Sequence, residues 1–281
     1  MRKNILAIDG GGVLGIGAAS FMEMIERYTP PIRFEAFAGT SVGSILASAA
    51  AIGMPWTKIR PLFEEKVHKI FAKPSLSWRM DLRKPEYDNA GLKQALKEIF
   101  GDRLMSDVSS PLFIVAMNYK TGKPKIYDNT DSVYVRDAVL QSCSAPTYFP
   151  PVDGIVDGGL VANNPSMCLI TGLIQKFDWE LKDMRLLSLG TNGDYWKDPK
   201  IDANTSKVEW AKILLESPTR GNEEIATFQS RALLGDRMFR VEPILSKDYA
   251  MDDLKCMDDY SKIWTYLYAL RKSCYLRWMM S

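Results

Sequence analysis

Histidine is almost missing from this chain: 281 residues contain one, His68. It sits in the charged stretch Glu64-Glu65-Lys66-Val67-His68-Lys69, with no glycine-rich turn beside it. A surface or partly buried helix position is therefore the better reading of His68, and a base for nucleophilic catalysis has to be sought among the carboxylates. Cysteine is scarce too. Cys143, Cys168, Cys256 and Cys274 are widely spaced, form no metal-ligand pattern with a lone histidine, and read as buried free thiols. Long hydrophobic runs are absent: the longest, Ile45 to Met54, falls well short of the about 20 residues that span a bilayer. Met1-Arg2-Lys3-Asn4 leads into a short apolar segment that ends at Asp9, so neither a signal peptide nor a membrane anchor is expected. A cytoplasmic protein, peripheral at the inner membrane face if it meets membrane at all, is the expectation. Excess charge of either sign is missing as well. The formal net charge of +2 provides no global field for nucleic acid, which is not an expected partner.

What is present is ordinary globular composition, 46% hydrophobic and 25% charged, enough to bury a full core. Asn4 to Ile8 reads as a strand closed by Asp9-Gly10-Gly11-Gly12, with a helix over Val13 to Tyr28. The pattern repeats with a strand at Phe34 to Ala38, a glycine turn at Gly39 to Gly43 and a small-residue helix from Ser44 to Ile52. Further strands are expected at Leu112 to Met117, Gly154 to Val156 and Arg185 to Leu189, with helices at Val133 to Ser142 and Pro165 to Phe177. From Val208 onward the chain reads as mainly helical, apart from a strand near Phe239 to Glu242. Alternating strands and helices imply an α/β layered fold. No repeat, low-complexity segment or linker stands out. One domain over residues 1–281 is expected, with an α/β core at 1–190 and a mainly helical extension at 191–281 packed on it.

Gly39-Thr40-Ser41-Val42-Gly43 has the form of a nucleophile elbow, in which Gly39 and Gly43 permit a tight strand-to-helix turn that projects the Ser41 hydroxyl. Asp9-Gly10-Gly11-Gly12-Val13-Leu14-Gly15 offers backbone N–H groups and a positive helix end to an oxyanion. Gly10, Gly12 and Gly15 also fit a dinucleotide fingerprint, with Glu35 about twenty residues on. That reading is disfavoured, because the ribose-binding acid should lie at the far end of the second strand, whereas Glu35 precedes most of its apolar residues, and Asp9 would repel a pyrophosphate. Asp157-Gly158-Gly159 follows a strand and is either a plain turn or a carboxylate closely approached by backbone. Asn163-Asn164-Pro165 is a turn and helix start of the same ambiguity. Lys73 to Pro85 interleaves Lys73, Arg79, Arg83 and Lys84 with Leu76, Trp78, Met80 and Leu82, as a headgroup-docking segment, a lid or a solvated loop would. Lys262 to Met280 is aromatic and basic, and a helix packed on the core is favoured over a lipid contact there.

Taken in order, Asp9-Gly10-Gly11-Gly12, Gly39-Thr40-Ser41-Val42-Gly43 and Asp157-Gly158-Gly159 resemble the patatin-like phospholipase family. Ser144-Ala145-Pro146, Phe149-Pro150-Pro151 and Asn163-Asn164-Pro165 extend the likeness, and Leu234 to Arg240 and Met257 to Ser261 look like C-terminal parts of bacterial members. Leu14 stands where the family usually has a basic residue. The resemblance implies a three-layer α/β/α sandwich of the patatin and cytosolic phospholipase A type, with a mainly helical C-terminal part. It implies a Ser–Asp dyad of Ser41 and Asp157, an oxyanion hole at Gly10, Gly11 and Gly12, and supporting positions at Asp9, Gly15, Gly158 and Gly159. Its expected activity is hydrolysis of fatty acyl esters of membrane glycerolipids through an acyl-enzyme, with no metal or cofactor called for. A gate is also expected, either the Lys73 to Pro85 lid or a small ligand such as the cyclic nucleotides that switch on bacterial antiviral effectors of this family. Two other classes stay open at this point: a catalytically idle binding or scaffold protein on the same fold, and a dinucleotide-binding oxidoreductase. A homo-oligomer is among the partners considered.

Overall fold

The computed structural model describes residues 2–75, 81, 83–194, 201–202 and 205–280. A seven-stranded sheet forms its centre: β1 (Lys3–Ile8), β2 (Ala36–Thr40), β3 (Leu112–Asn118), β4 (Lys123–Tyr127), β5 (Ile155–Asp157), β6 (Met184–Leu189) and β7 (Met238–Val241). The order is β4-β3-β2-β1-β6-β7, with β5 paired to β3. β1, β2, β3, β6 and β7 run parallel, whereas β4 and β5 pair antiparallel with β3. Helices are α1 (Gly15–Tyr28), α2 (Val42–Ala51), α3 (Trp56–Ile70), α4 (Ala90–Phe100), α5 (Val135–Ser142), α6 (Gly159–Ala162), α7 (Ser166–Phe177), α8 (Lys207–Leu234) and α9 (Met257–Met280).

The parallel strands are apolar on both faces, as burial between two helical layers requires. Leu6 and Ile8 of β1 and Phe37 of β2 join one core with α1, α2, α3 and α9. Their alternates Ile5, Ala7, Ala36 and Ala38 join a second core with Leu169, Ile170 and Leu173 of α7 and Leu234 of α8. The chain is thus a three-layer α/β/α sandwich. The Lys262 to Met280 segment lies within α9, whose Trp264 and Tyr268 meet Phe21 of α1 edge-on at 5.8 and 5.9 Å. Its aromatic side is core, which excludes lipid as the partner of Tyr260, Trp264 and Tyr275.

Strand order reverses beside β1: β2 lies on one side, β6 on the other. Crevices at such reversals, beyond the carboxyl ends of the strands, are where α/β sheets bind ligands. The Gly10–Gly12 loop leaves β1 there, the Ser41 turn leaves β2, and Thr191–Gly193 leaves β6.

Candidate active site

Ser41 sits between the end of β2 and the start of α2 with φ 52° and ψ −128°. A non-glycine residue in this left-handed region is strained by about 1–3 kcal/mol and persists only where its surroundings fix it. They do so here through hydroxyls. Ser142 Oγ accepts from Ser41 N at 2.9 Å and donates to Val115 O at 2.6 Å. Ser44 donates to Ser41 O from both N and Oγ, at 2.8 and 2.6 Å. A side chain at Gly39 would strike the Gly43 carbonyl, and one at Gly43 would strike the Ile8 carbonyl, so both glycines are required by close backbone approach.

Sheet register brings Asp157 to this serine. β4 occupies one edge of β3, so β2 and β5 share the other: Thr40 lies opposite Val115 and Asp157 opposite Ala116. Two strands running head-on along a common neighbour place their ends side by side. The Asp157 carboxylate accepts from Gly159 N at 2.7 Å and has the Ser41 side chain beside it. Burial raises the Asp157 pKa to about 6, against the Ser41 hydroxyl and the Gly159 amide, which favour the ionised form. Gly158 packs its backbone against the Val115 carbonyl, where no side chain fits.

The first glycine loop closes over the same point. Gly10 O accepts from Thr191 Oγ1 and, at 3.2 Å, from Asn163 Nδ2, while Gly10 N donates to Asn163 O at 3.3 Å. The Gly10 amide is therefore already engaged. For the amides of Gly11 and Gly12 no protein acceptor is found among the described residues. Gly12 has φ +59° and lies against the Met251 carbonyl. Gly15 packs on Val42. Asp9 does not face the cavity: its carboxylate takes Arg240 bidentately at 3.0 and 2.7 Å, and the pair is buried. Burial works against the Arg240 charge, but Asp9, Glu242 and Glu223 outweigh it and hold the guanidinium protonated. The repulsion of phosphate expected from Asp9 thus has no basis, because the charge is neutralised behind the loop. Glu35 fails as a ribose ligand for a different reason. Its carboxylate accepts from Asn4 N at 2.7 Å, at the opposite end of β1 from the glycines.

Ser41, Asp157 and Gly10–Gly12 line one cavity of about 620 Å³. Its lining includes the apolar side chains of Leu14, Ile45, Phe63, Val67, Phe71 and Phe149. The position usually basic in the family, Leu14, is here part of that apolar lining. Its polar lining includes Asn192, Arg220, Glu223 and Asp248. Arg220 is paired with Asp194, and burial raises Glu223 to about 7 against its bonds to Asn163 and Asn192. His68 is exposed on α3 and does not line the cavity. Of the Lys73 to Pro85 segment, residues 76–80 and 82 lie outside the described residues, so the lid expectation cannot be placed there. Among the described residues no group of His, Cys, Asp and Glu is arranged to hold a metal ion. Ser142, Asn192 and Glu223 escaped the sequence reading, since single polar residues outside glycine-rich turns carry no local signature, and Arg240 entered it only as the end of the Leu234 to Arg240 likeness, with no role attached.

A family model described as "Patatin-like phospholipase" matches residues 6–169. The chain is 30% identical over 243 residues to a "cGAMP-activated phospholipase" of Escherichia coli, covering 74% of this chain and 67% of that protein. It is 27% identical over 279 residues to a protein of the same description from Pseudomonas aeruginosa, covering 92% and 83%. Among solved structures, VipD from Legionella pneumophila matches with a TM-score of 0.52 at 14% identity, over 95% of this chain and 67% of that one, a likeness of fold. The chain belongs to the patatin-like phospholipase family.

Proposed function

We propose that this chain is a serine lipid acyl hydrolase of phospholipase A type, acting as one unit over residues 1–281. The observation that carries the reading is Ser41, held at a strained elbow beside buried Asp157, both lining one cavity together with apolar side chains. Asp157 takes the Ser41 proton as Oγ attacks the ester carbonyl. The tetrahedral oxyanion is received by the amides of Gly11 and Gly12, and by that of Val42, which as the first residue of α2 has no partner within the helix. Collapse expels the alcohol, which recovers the proton from Asp157. Water, activated by the same carboxylate, then releases the fatty acid. The apolar lining takes the acyl chain and the polar lining faces the glycerol headgroup.

Access to membrane lipid is peripheral in this reading, since no helix among the described residues is long and apolar enough to cross a bilayer. Relatives described as cGAMP-activated phospholipases support activation by a cyclic nucleotide, and with it a role as an antiviral effector. The test is labelling by a fluorophosphonate with and without cGAMP. Modification of the wild type but not of Ser41→Ala is expected; labelling of neither, under both conditions, rejects the reading.

A further inference from the structure

Helix α8 lies outside the stretch matched by the family model, yet it reaches the reactive loops through two consecutive side chains. Asn222 Oδ1 accepts from Asn163 N at 2.9 Å, and its Nδ2 donates to Gly159 O at 3.1 Å. Glu223 Oε1 accepts from Asn163 Nδ2 and, at 3.0 Å, from Asn192 Nδ2. Asn163 in turn holds Gly10 at both of its backbone polar groups: Nδ2 donates to Gly10 O, and Asn163 O accepts from Gly10 N. Glu223 is buried, close enough to Arg240 to feel its charge, and its side-chain hydrogen bonds among the described residues come from the two amides. A buried carboxylate is costly unless its oxygens are used, and here one oxygen gathers two amides from different loops.

We propose that Asn222 and Glu223 are positioning residues, through which α8 sets the spacing between the glycine loop and the Asp157–Gly159 turn. The inference rests on the hydrolase reading above. Neither residue is asked to touch the reacting atoms. Both act through Asn163, the one side chain that bonds Gly10 and also belongs to the segment following the base. Displacement of about 1 Å at such a point costs on the order of 10²-fold in rate, because the oxyanion donors and the base must meet one substrate at once.

The experiment uses the full chain, 4-nitrophenyl butyrate as probe, and cGAMP both absent and present. Glu223→Ala is expected to lower kcat by about 10- to 100-fold with KM within about twofold of wild type. Glu223→Gln, which keeps the accepting oxygen, is expected to recover most of that loss. Hydrogen exchange over residues 9–15 and 157–163 should rise in Glu223→Ala and return in Glu223→Gln. Should Glu223→Ala fail to fold, half-buried Asn222 substitutes for it, and Asn222→Ala is expected to give the same kcat loss and the same exchange pattern. Wild-type kcat in a folded Ala variant, a loss confined to KM, or a Gln variant as impaired as Ala overturns the positioning role. A wild type inactive on the ester under both conditions overturns the hydrolase reading itself, and unchanged exchange in Glu223→Ala separately removes the positioning role.

Discussion

At most positions glycine destabilises a protein relative to alanine by about 0.5–1 kcal/mol through backbone entropy. At residue 41 the order should reverse. Its φ of 52° and ψ of −128° place Cβ in a region that glycine enters freely and alanine does not. Both Ser41→Ala and Ser41→Gly lose the hydroxyl and its interaction with Asp157, so comparing them isolates the backbone. Strain of about 1–3 kcal/mol is relieved only in the glycine variant. Subtracting the entropic disadvantage at the middle of both ranges leaves Ser41→Gly more stable than Ser41→Ala by about 1 kcal/mol, and by up to about 2.5 kcal/mol at the extreme. Urea denaturation at constant m, with midpoints compared at pH 7, reads the difference directly. Equal midpoints, or alanine above glycine, would refute the claim that the fold stores strain in the elbow.

Activity should depend on Asp157 ionisation: with a pKa of about 6, the base form is about one-tenth at pH 5 and about nine-tenths at pH 7. The sign follows from a base that works only when deprotonated, so kcat/KM rises roughly tenfold across that interval, and a flat profile there contradicts the assignment. Arg240→Met leaves Asp9 buried and unpaired, and should cost about 3–5 kcal/mol in chemical denaturation, recovered in part by adding Asp9→Asn. A loss below about 1 kcal/mol would show that the pair does not tie β7 to the glycine loop. Ile45→Phe, one turn beyond Ser41 in the cavity lining, should shift ester preference to shorter chains, by about fourfold for each methylene excluded at about 0.8 kcal/mol apiece. An unchanged chain-length profile would move the acyl chain elsewhere.

The strands flanking the glycine turns were legible because they are continuous apolar runs closed by glycine, and most boundaries lie within two residues of the observed ones. β4 was not. Lys123–Tyr127 is a half-exposed edge strand whose Lys-Pro-Lys start resembles a loop, and its pairing with Ile114–Asn118 is a tertiary fact. The family likeness pairs Ser41 with Asp157, but the physical reason that the two lie near each other is register, which residue types do not carry: β5 continues the edge of β3 where β2 stops. The engagement of the Gly10 amide by Asn163 could not be read from residue types, since it depends on a contact between segments 153 positions apart. Asp9 illustrates the same limit, because its partner Arg240 lies 231 positions away on β7.

Lipid hydrolysis tests the central assignment most directly. Wild type and Ser41→Ala are incubated with phosphatidylglycerol and phosphatidylethanolamine vesicles, with and without cGAMP, and products are identified by mass spectrometry. Free fatty acid and lysophospholipid from the wild type alone are predicted. Release by both proteins, or by neither under either condition, would contradict Ser41 as the nucleophile of a lipid acyl hydrolase.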